Sequence, residues 1–148
     1  MVYIHYEHLK VLYIRASIQV DKILREKEEL FQRTQPQGIT AGEKVQSSVK
    51  ADAFDRYLIA VDEQMIDARL AEAKKILEER KNLLTVKEFD LRMSKELDDM
   101  VYVMRYLEHM KIREIAESLH YSEAHIYRIT SEIRRKIKVL KNDNRDVL

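Results

Sequence analysis

Several residue types are scarce in this chain, and each scarcity excludes a class of protein. Its 148 residues contain no cysteine, which excludes disulfides and thiolate metal sites and fits a reducing compartment such as the cytoplasm. Only two glycines and one proline occur, too few for the turns of a sheet protein. No apolar run is long enough to cross a bilayer, so we expect no membrane partner. The N-terminal segment lacks a basic leader and a small-residue cleavage site, so we expect no signal peptide.

The residues that are abundant are those of long helices with solvated faces. Charged residues make up 36% of the chain, which favours an all-α fold over a sheet protein. The net charge of +1 says little, but its distribution is uneven. Residues 111–141 contain eight basic and four acidic residues, a balance of +4 that leaves −3 for the remainder. A positive segment on an acidic carrier indicates a polyanionic partner, although basic residues late in a helix also complement its dipole.

The N-terminal half predicts a long antiparallel helical hairpin. Apolar residues at steps of three and four predict one helix over Tyr3–Arg33 and a second over Lys50–Leu83. The polar stretch Thr34–Ser48 holds the proline and both glycines and predicts the connecting loop. Such a hairpin has a thin core, so we expect the C-terminal part or a second copy to cover it, and we expect a homodimer. The predicted buried side of the second helix is Phe54, Tyr57, Leu58, Val61, Met65, Ala68 and Ile76.

A new helix is predicted to begin after residue 84. Thr85 and Glu88 have the spacing of a capping box, with Thr85 as the N-cap. Its predicted buried side is Phe89, Met93, Leu97, Met100, Met104 and Leu107. Ser94 offers a second start, so residues 85–109 form either one helix or two. These signals predict two domains, the hairpin over 1–84 for oligomerisation or partner binding and a smaller domain over 85–148.

Residues 111–140 have the pattern of a helix-turn-helix with a basic end. Two short apolar stripes, Ile112 to Leu119 and Ile126 to Ile137, flank a break at residues 120–122. Ser122 is the predicted N-cap of the second helix. Ala116 is the small residue that lets the two helices cross closely.

These residues resemble region 4 of the sigma-70-type factors. The resemblance covers roughly residues 94–140 and is carried by Arg105-Tyr106-Leu107-Glu108, Ile112, Glu114-Ile115-Ala116, Leu119, Ser122-Glu123, Ile126 and Arg134-Arg135-Lys136-Ile137-Lys138. The layout also resembles small phage and prophage transcriptional regulators of Gram-positive bacteria. The resemblance implies double-stranded DNA as partner, either alone or together with RNA polymerase, in the cytoplasm of a bacterial host. His120 stands where such motifs usually carry glycine, which puts the crossing angle of the helices in doubt.

The second helix of such a motif places its N-terminal side chains against base edges in the major groove. Arg128 is the expected base reader, because a guanidinium can bond guanine O6 and N7 together. Glu123 can accept from cytosine N4, whereas Lys111, Arg113, Arg135 and Lys138 are expected near phosphates. The predicted DNA-binding set is Ser122, Glu123, His125, Tyr127, Arg128, Ser131, Arg135, Lys138, Lys111 and Arg113.

No pattern in the sequence predicts an enzyme, a cofactor or a metal site. His5 and His8, and His120 and His125, match no recognised metal-ligand spacing. Adjacent carboxylates such as Asp98 and Asp99 diverge by about 100° on a helix. The leading expectation is a dimeric, sequence-specific transcriptional regulator. The alternatives are a helical protein-interaction or assembly adaptor, including a small-terminase-like packaging protein, or an inhibitor of a host protein.

Overall fold

The protein is all-helical. The computed structural model describes residues 1–34 and 49–145, and the side chains of residues 1–32 and 55–145. The α-helices are α1 (Val2–Thr34), α2 (Val49–Met93), α3 (Leu97–Tyr102), α4 (Ile112–Leu119) and α5 (Glu123–Asp143), and a π-helical segment (Val103–Leu107) follows α3 directly. This confirms the predicted all-α class and, within one residue at each end, the first helix. The predicted loop lies outside the described residues except for Thr34, which ends α1, and the expected hairpin stays a prediction.

The chain divides into two compact units. One comprises Met1–Ile14 together with the chain from Glu79 onward, and the other comprises Arg15–Glu78. The division differs from the expected one, 1–84 and 85–148, because the start of α1 packs with the C-terminal helices. The expected boundary also falls inside α2, which runs unbroken to Met93. The C-terminal part is therefore completed by residues from the other end of the sequence.

The predicted helix start at Thr85 is wrong. The Thr85 hydroxyl donates to the carbonyl of Lys81 at 3.0 Å, the bond of a threonine in a helix interior. Glu88 bonds Arg92 at 3.0 Å instead of reaching back to the backbone of Thr85. The break falls at Ser94–Glu96, so the open question over residues 85–109 resolves into the end of α2 and a separate α3.

The first unit has one hydrophobic core shared by all its helices. Ile115, Ala116, Ile126, Ile129 and Ile133 are buried in it. The other fully covered members come from α1, α2 and the α3 region, and they are Tyr3, Tyr6, Leu91, Val101, Tyr102 and Val103. Phe89 and Met93, predicted to be buried, are 65% and 66% exposed, because α2 packs through Leu91 and Leu84 instead.

A buried carboxylate fastens the start of α1 to this core. Asp99 is completely buried and accepts hydrogen bonds from the backbone N–H groups of Val2 (3.2 Å) and Tyr3 (3.0 Å). The Ser94 hydroxyl donates to the same carboxylate at 2.7 Å. The first N–H groups of a helix have no partner within it, and a negative charge there also complements the helix dipole. Asp99 thus caps α1 from 96 residues away along the chain.

Tyrosines surround this anchor. The ring of Tyr102 stacks on Tyr3 at 5.3 Å and on Tyr106 at 5.0 Å between centroids, and Tyr6 meets it edge-on at 6.2 Å. The Tyr102 hydroxyl donates to the buried carboxylate of Glu7. Burial, and then this hydrogen bond, raise the pKa of Tyr102 above its ordinary value. Burial is also the main cause that raises the pKa of Tyr3, to about 12.

The second unit has a much smaller core. Among the described residues of this unit, the buried apolar side chains are Ala16, Val20, Ile23, Leu70 and Ala73. Ile66 and Leu77 pack against the last four of them. The ion pairs Lys27–Asp67 (2.8 Å) and Glu26–Arg69 (2.9 Å) join α1 to α2 beside this core. The predicted buried side of α2 is wrong for Tyr57, Leu58, Met65 and Ala68, which are exposed, and Phe54 lies outside the described side chains.

Replacement of the buried cap should destabilise the protein strongly. We expect Asp99→Ala to lower the free energy of unfolding by about 2–4 kcal/mol, because two helix N–H groups lose a charged acceptor inside the core. Asp98→Ala is the matched control, since its half-buried carboxylate bonds no described residue; we expect a change within about 1 kcal/mol. Chemical denaturation measures both, and equal losses would contradict the role assigned to Asp99.

The buried tyrosines predict a loss of stability in alkali. A tyrosine in the unfolded chain ionises near pH 10, whereas Tyr3 stays neutral to about pH 12 in the folded protein. The stability that Tyr3 contributes is therefore fully present below pH 10 and is lost as the pH rises to 12. We expect Tyr3→Phe to flatten the fall in unfolding free energy above pH 10, and Tyr127→Phe, at an exposed position, to leave it unchanged. Identical profiles for Tyr3→Phe and the wild type would refute this.

Candidate nucleic-acid interface

The turn between α4 and α5 contains a residue in the left-handed conformation that is not glycine. α4 ends at Leu119, and His120 follows with φ 58° and ψ 39°. The N–H of Tyr121 donates to the carbonyl of Ala116 at 3.1 Å, which closes the end of α4. A non-glycine residue in this conformation costs on the order of 1 kcal/mol, and histidine tolerates it better than a branched residue. Residues 120–122 therefore suffice to join α4 to α5.

The start of α5 is capped as the sequence predicted. Ser122 is extended and its hydroxyl oxygen accepts from the N–H of His125 at 3.2 Å. At the start of α4, the backbone N–H of Lys111 donates to the Glu114 carboxylate at 2.7 Å. Before α4, the guanidinium of Arg105 donates to the carbonyl of Met110 at 2.9 Å and ties the loop to the π-helical segment. Local hydrogen bonds thus fix the start of α4 and the start of α5.

The inner side of α5 is set by the core. Ile126, Ile129 and Ile133 are buried, as the sequence predicted, and Thr130 is buried with them. The Thr130 hydroxyl donates to the carbonyl of Ile126 at 2.9 Å, so its polar atom is satisfied inside the helix. Because successive residues turn by about 100°, burial of these four directs the opposite half of the helix to solvent.

That outer half carries most of the predicted site. Ser122, Glu123, Tyr127, Arg128, Ser131, Arg135 and Lys138 are all exposed. Arg134 is also exposed, and Ala124, which the sequence prediction did not include, joins them near the N-terminus of the helix. A small side chain there leaves room for close approach to a groove, and an alanine methyl can contact the methyl of thymine.

Three of the predicted residues have a different setting. His125 is half-buried, and its ring lies 5.1 Å from that of the exposed Tyr121. Lys111 and Arg113 are exposed but belong to the start of α4 and not to α5, Lys111 as the N-cap and Arg113 in the first turn. Arg113 pairs with Glu117 at 3.2 Å, an exposed i,i+4 contact of small energy. Tyr121 was missed because it lies in the turn, where helical spacing gives no signal.

The cations of α5 are not neutralised by their neighbours. Among the described residues, Arg128, Arg134, Arg135 and Lys138 form no ion pair. Lys136 points elsewhere, with its ammonium nitrogen 3.3 Å from the sulfur of Met1. Four exposed positive charges on one helix face produce a local field that attracts polyanions.

Other kinds of site find no support in the part of the chain that the structure describes. No group of three histidines or carboxylates there is arranged to hold a metal ion. None of the described helices combines the length and the apolar character needed to span a bilayer. The chain matches no protein-family model, no curated protein and no solved structure.

Proposed function

We propose that the protein is a sequence-specific regulator of transcription that binds double-stranded DNA through α5. In this proposal α4 and α5 form a helix-turn-helix similar to sigma region 4, and α5 is the recognition helix. The observation that carries it is the exposed face of α5, where four cations without ion pairs stand beside Ser122, Tyr127 and Ser131. Such a face has both parts that DNA recognition needs, charge for phosphates and polar groups for base edges.

The residues of α5 divide into two roles. Arg128 and the positions before it lie in the first turns of the helix, which enter the major groove in this class of motif. Arg128 reads guanine, and Glu123 accepts from cytosine or complements the helix dipole. Arg134, Arg135 and Lys138 lie one to three turns later and attract phosphates without regard to sequence. The protein thus places its specificity early in α5 and most of its charge late.

The way the protein acts at a promoter follows from the form of its target. A dimer that binds alone requires two half-sites related by symmetry. A protein that acts beside RNA polymerase, as sigma region 4 does, requires only one. Selection of bound duplexes from random DNA by the full chain distinguishes the two: an inverted repeat favours the first and a single half-site the second.

A protein-interaction adaptor is the second candidate, and one observation favours it. Tyr57, Leu58 and Met65 of α2 are large apolar side chains that are exposed, and exposed apolar patches commonly mark interaction sites. Under this alternative the α4–α5 pair is purely structural, so the full chain has no measurable affinity for duplex DNA even at low salt. Salt-sensitive DNA binding excludes that version of the function.

The late cations of α5 should set the salt dependence of binding. We expect the double variant Arg135→Gln/Lys138→Gln to reduce the slope of log K against log salt concentration by about 2, because two phosphate contacts and their released counterions are lost. Lys22→Gln/Lys74→Gln is the matched control, with the same loss of charge at exposed positions of α1 and α2. Fluorescence anisotropy with a duplex measures both slopes, and equal slopes in the two variants would place the DNA elsewhere.

Arg128 should set sequence preference. We expect Arg128→Ala to weaken binding to the best selected duplex by about 1–3 kcal/mol, because a bidentate contact to guanine is lost. Binding to a scrambled duplex should change far less. The ratio of the affinity for the selected duplex to the affinity for the scrambled duplex therefore falls. Arg134→Ala is the control, because it removes the next cation along the same helix. We expect it to weaken binding to both duplexes alike. If Arg128→Ala leaves this ratio unchanged, Arg128 does not contribute to sequence recognition.

A further inference from the structure

Helix α2 has two apolar faces within the second unit, and only one of them is covered. Ile66, Leu70, Ala73 and Leu77 belong to the core that α2 forms with α1. Tyr57, Leu58, Val61, Met65 and Ala68 also recur at helical spacing and define what we call the outer face. At about 100° per residue the two faces lie roughly 140° apart, so a single neighbouring helix cannot cover both.

The large side chains of the outer face are exposed in the described chain. Tyr57 is 65%, Met65 61% and Leu58 44% exposed. The charged residues within the same stretch lie on other sides of the helix, and one of them, Asp67, is paired with Lys27. The sequence pattern of this face is therefore that of a buried surface, although nothing in the described chain buries it.

The second unit also needs more apolar burial than α1 and α2 supply. Among its described residues only five apolar side chains are buried: Ala16, Val20, Ile23, Leu70 and Ala73. Units with so small a core usually depend on a further element or on association. A second copy of the chain is a cover that is present wherever the chain is present.

The outer face is suited to contact with itself. Between Tyr57 and Ala68 it carries no charge, and the next residues on the same side are Glu72 and Lys75, one of each sign. Two copies therefore meet without net repulsion. A strongly charged partner would find no complementary charges on this face. A groove of about 390 Å³ beside the outer face has an apolar floor and a charged rim, and it is lined by Leu30, Met65, Ile66, Glu26, Glu29, Asp62 and Arg69.

The area that two copies would bury is also close to that of a specific protein–protein interface. An exposed apolar patch of this kind covers roughly 300–600 Å². Two copies packed together remove on the order of 1,000 Å² from water, close to the lower bound for a specific interface. Two helix pairs joined in this way form a four-helix arrangement, in which every helix has a covered face.

We propose that the outer face of α2 is a homodimer interface, and that Tyr57, Leu58, Val61, Met65 and Ala68 of one copy pack against the same residues of another. The interface lies in the unit that does not contain α5. It therefore does not depend on the proposed DNA binding, and either proposal can fail while the other stands.

Sedimentation equilibrium of the full chain tests this without DNA. We expect the wild type to reach twice the monomer mass of 17.7 kDa, and Met65→Glu to raise the dissociation constant at least about tenfold. Ile18→Glu is the matched control, because Ile18 lies in the same unit, on α1, and is likewise 61% exposed. We expect it to change the constant less than about threefold. A wild type that stays at 17.7 kDa, or equal effects of the two variants, overturns the proposal.

Cysteine cross-linking gives a readout that does not depend on a disruptive substitution. The chain has no cysteine, so a single introduced thiol can only form a disulfide with another copy. Across the five outer-face positions, we expect at least one cysteine variant to cross-link under mild oxidation much faster than Ile18→Cys, and the fastest position marks the symmetry axis. Circular dichroism confirms that each variant keeps its helices. Cross-linking no faster than that of Ile18→Cys at all five positions refutes the interface.

Discussion

The first unit depends on a buried acceptor, the carboxylate of Asp99, which is completely covered. It bonds the first two N–H groups of α1 and the hydroxyl of Ser94 at the break between α2 and α3. Both oxygens are used, so the cost of burying the charge is offset by charge-assisted hydrogen bonds. The same contact holds Tyr3 against Tyr102, around which the other tyrosines gather. The N-terminal residues are thereby part of the core on which α4 and α5 are built.

Periodicity predicted the helices but not which of their faces is inside. In α2 the stripe from Tyr57 to Ala68 and the stripe from Ile66 to Leu77 are both apolar and both at helical spacing. The first stripe was predicted to be buried, but the core uses the second. In the first unit, Phe89 and Met93 were predicted to be buried for the same reason, but they are exposed and Leu91 is buried. Only tertiary contacts decide between two apolar faces, because each satisfies the same local pattern.

Local signals were reliable where the structure is local. The cap at Ser122 and the buried side of α5 follow from residues within a few positions of one another, and both were predicted. The helix start predicted at Thr85 failed because a capping sequence inside a stable helix is overridden by the backbone bonds on either side of it. The Asp99 cap and the Tyr102–Glu7 bond join residues more than ninety positions apart, and no short pattern could reveal them.

The exposed cations of α5 lie close together on one helix face. Some cations elsewhere are placed beside carboxylates, as in Lys27–Asp67, Arg69–Glu26 and Arg92–Glu88, whereas others, such as Lys22 and Lys74, form no ion pair among the described residues. On the outer face of α5 the cations have no such partners, although Glu132 occupies an exposed position on the same helix. Pairing them would have lowered their mutual repulsion at little structural cost, since surface pairs form easily between long side chains. Under the proposed function, duplex DNA supplies the negative charge that these cations lack, at a regular spacing along its backbone.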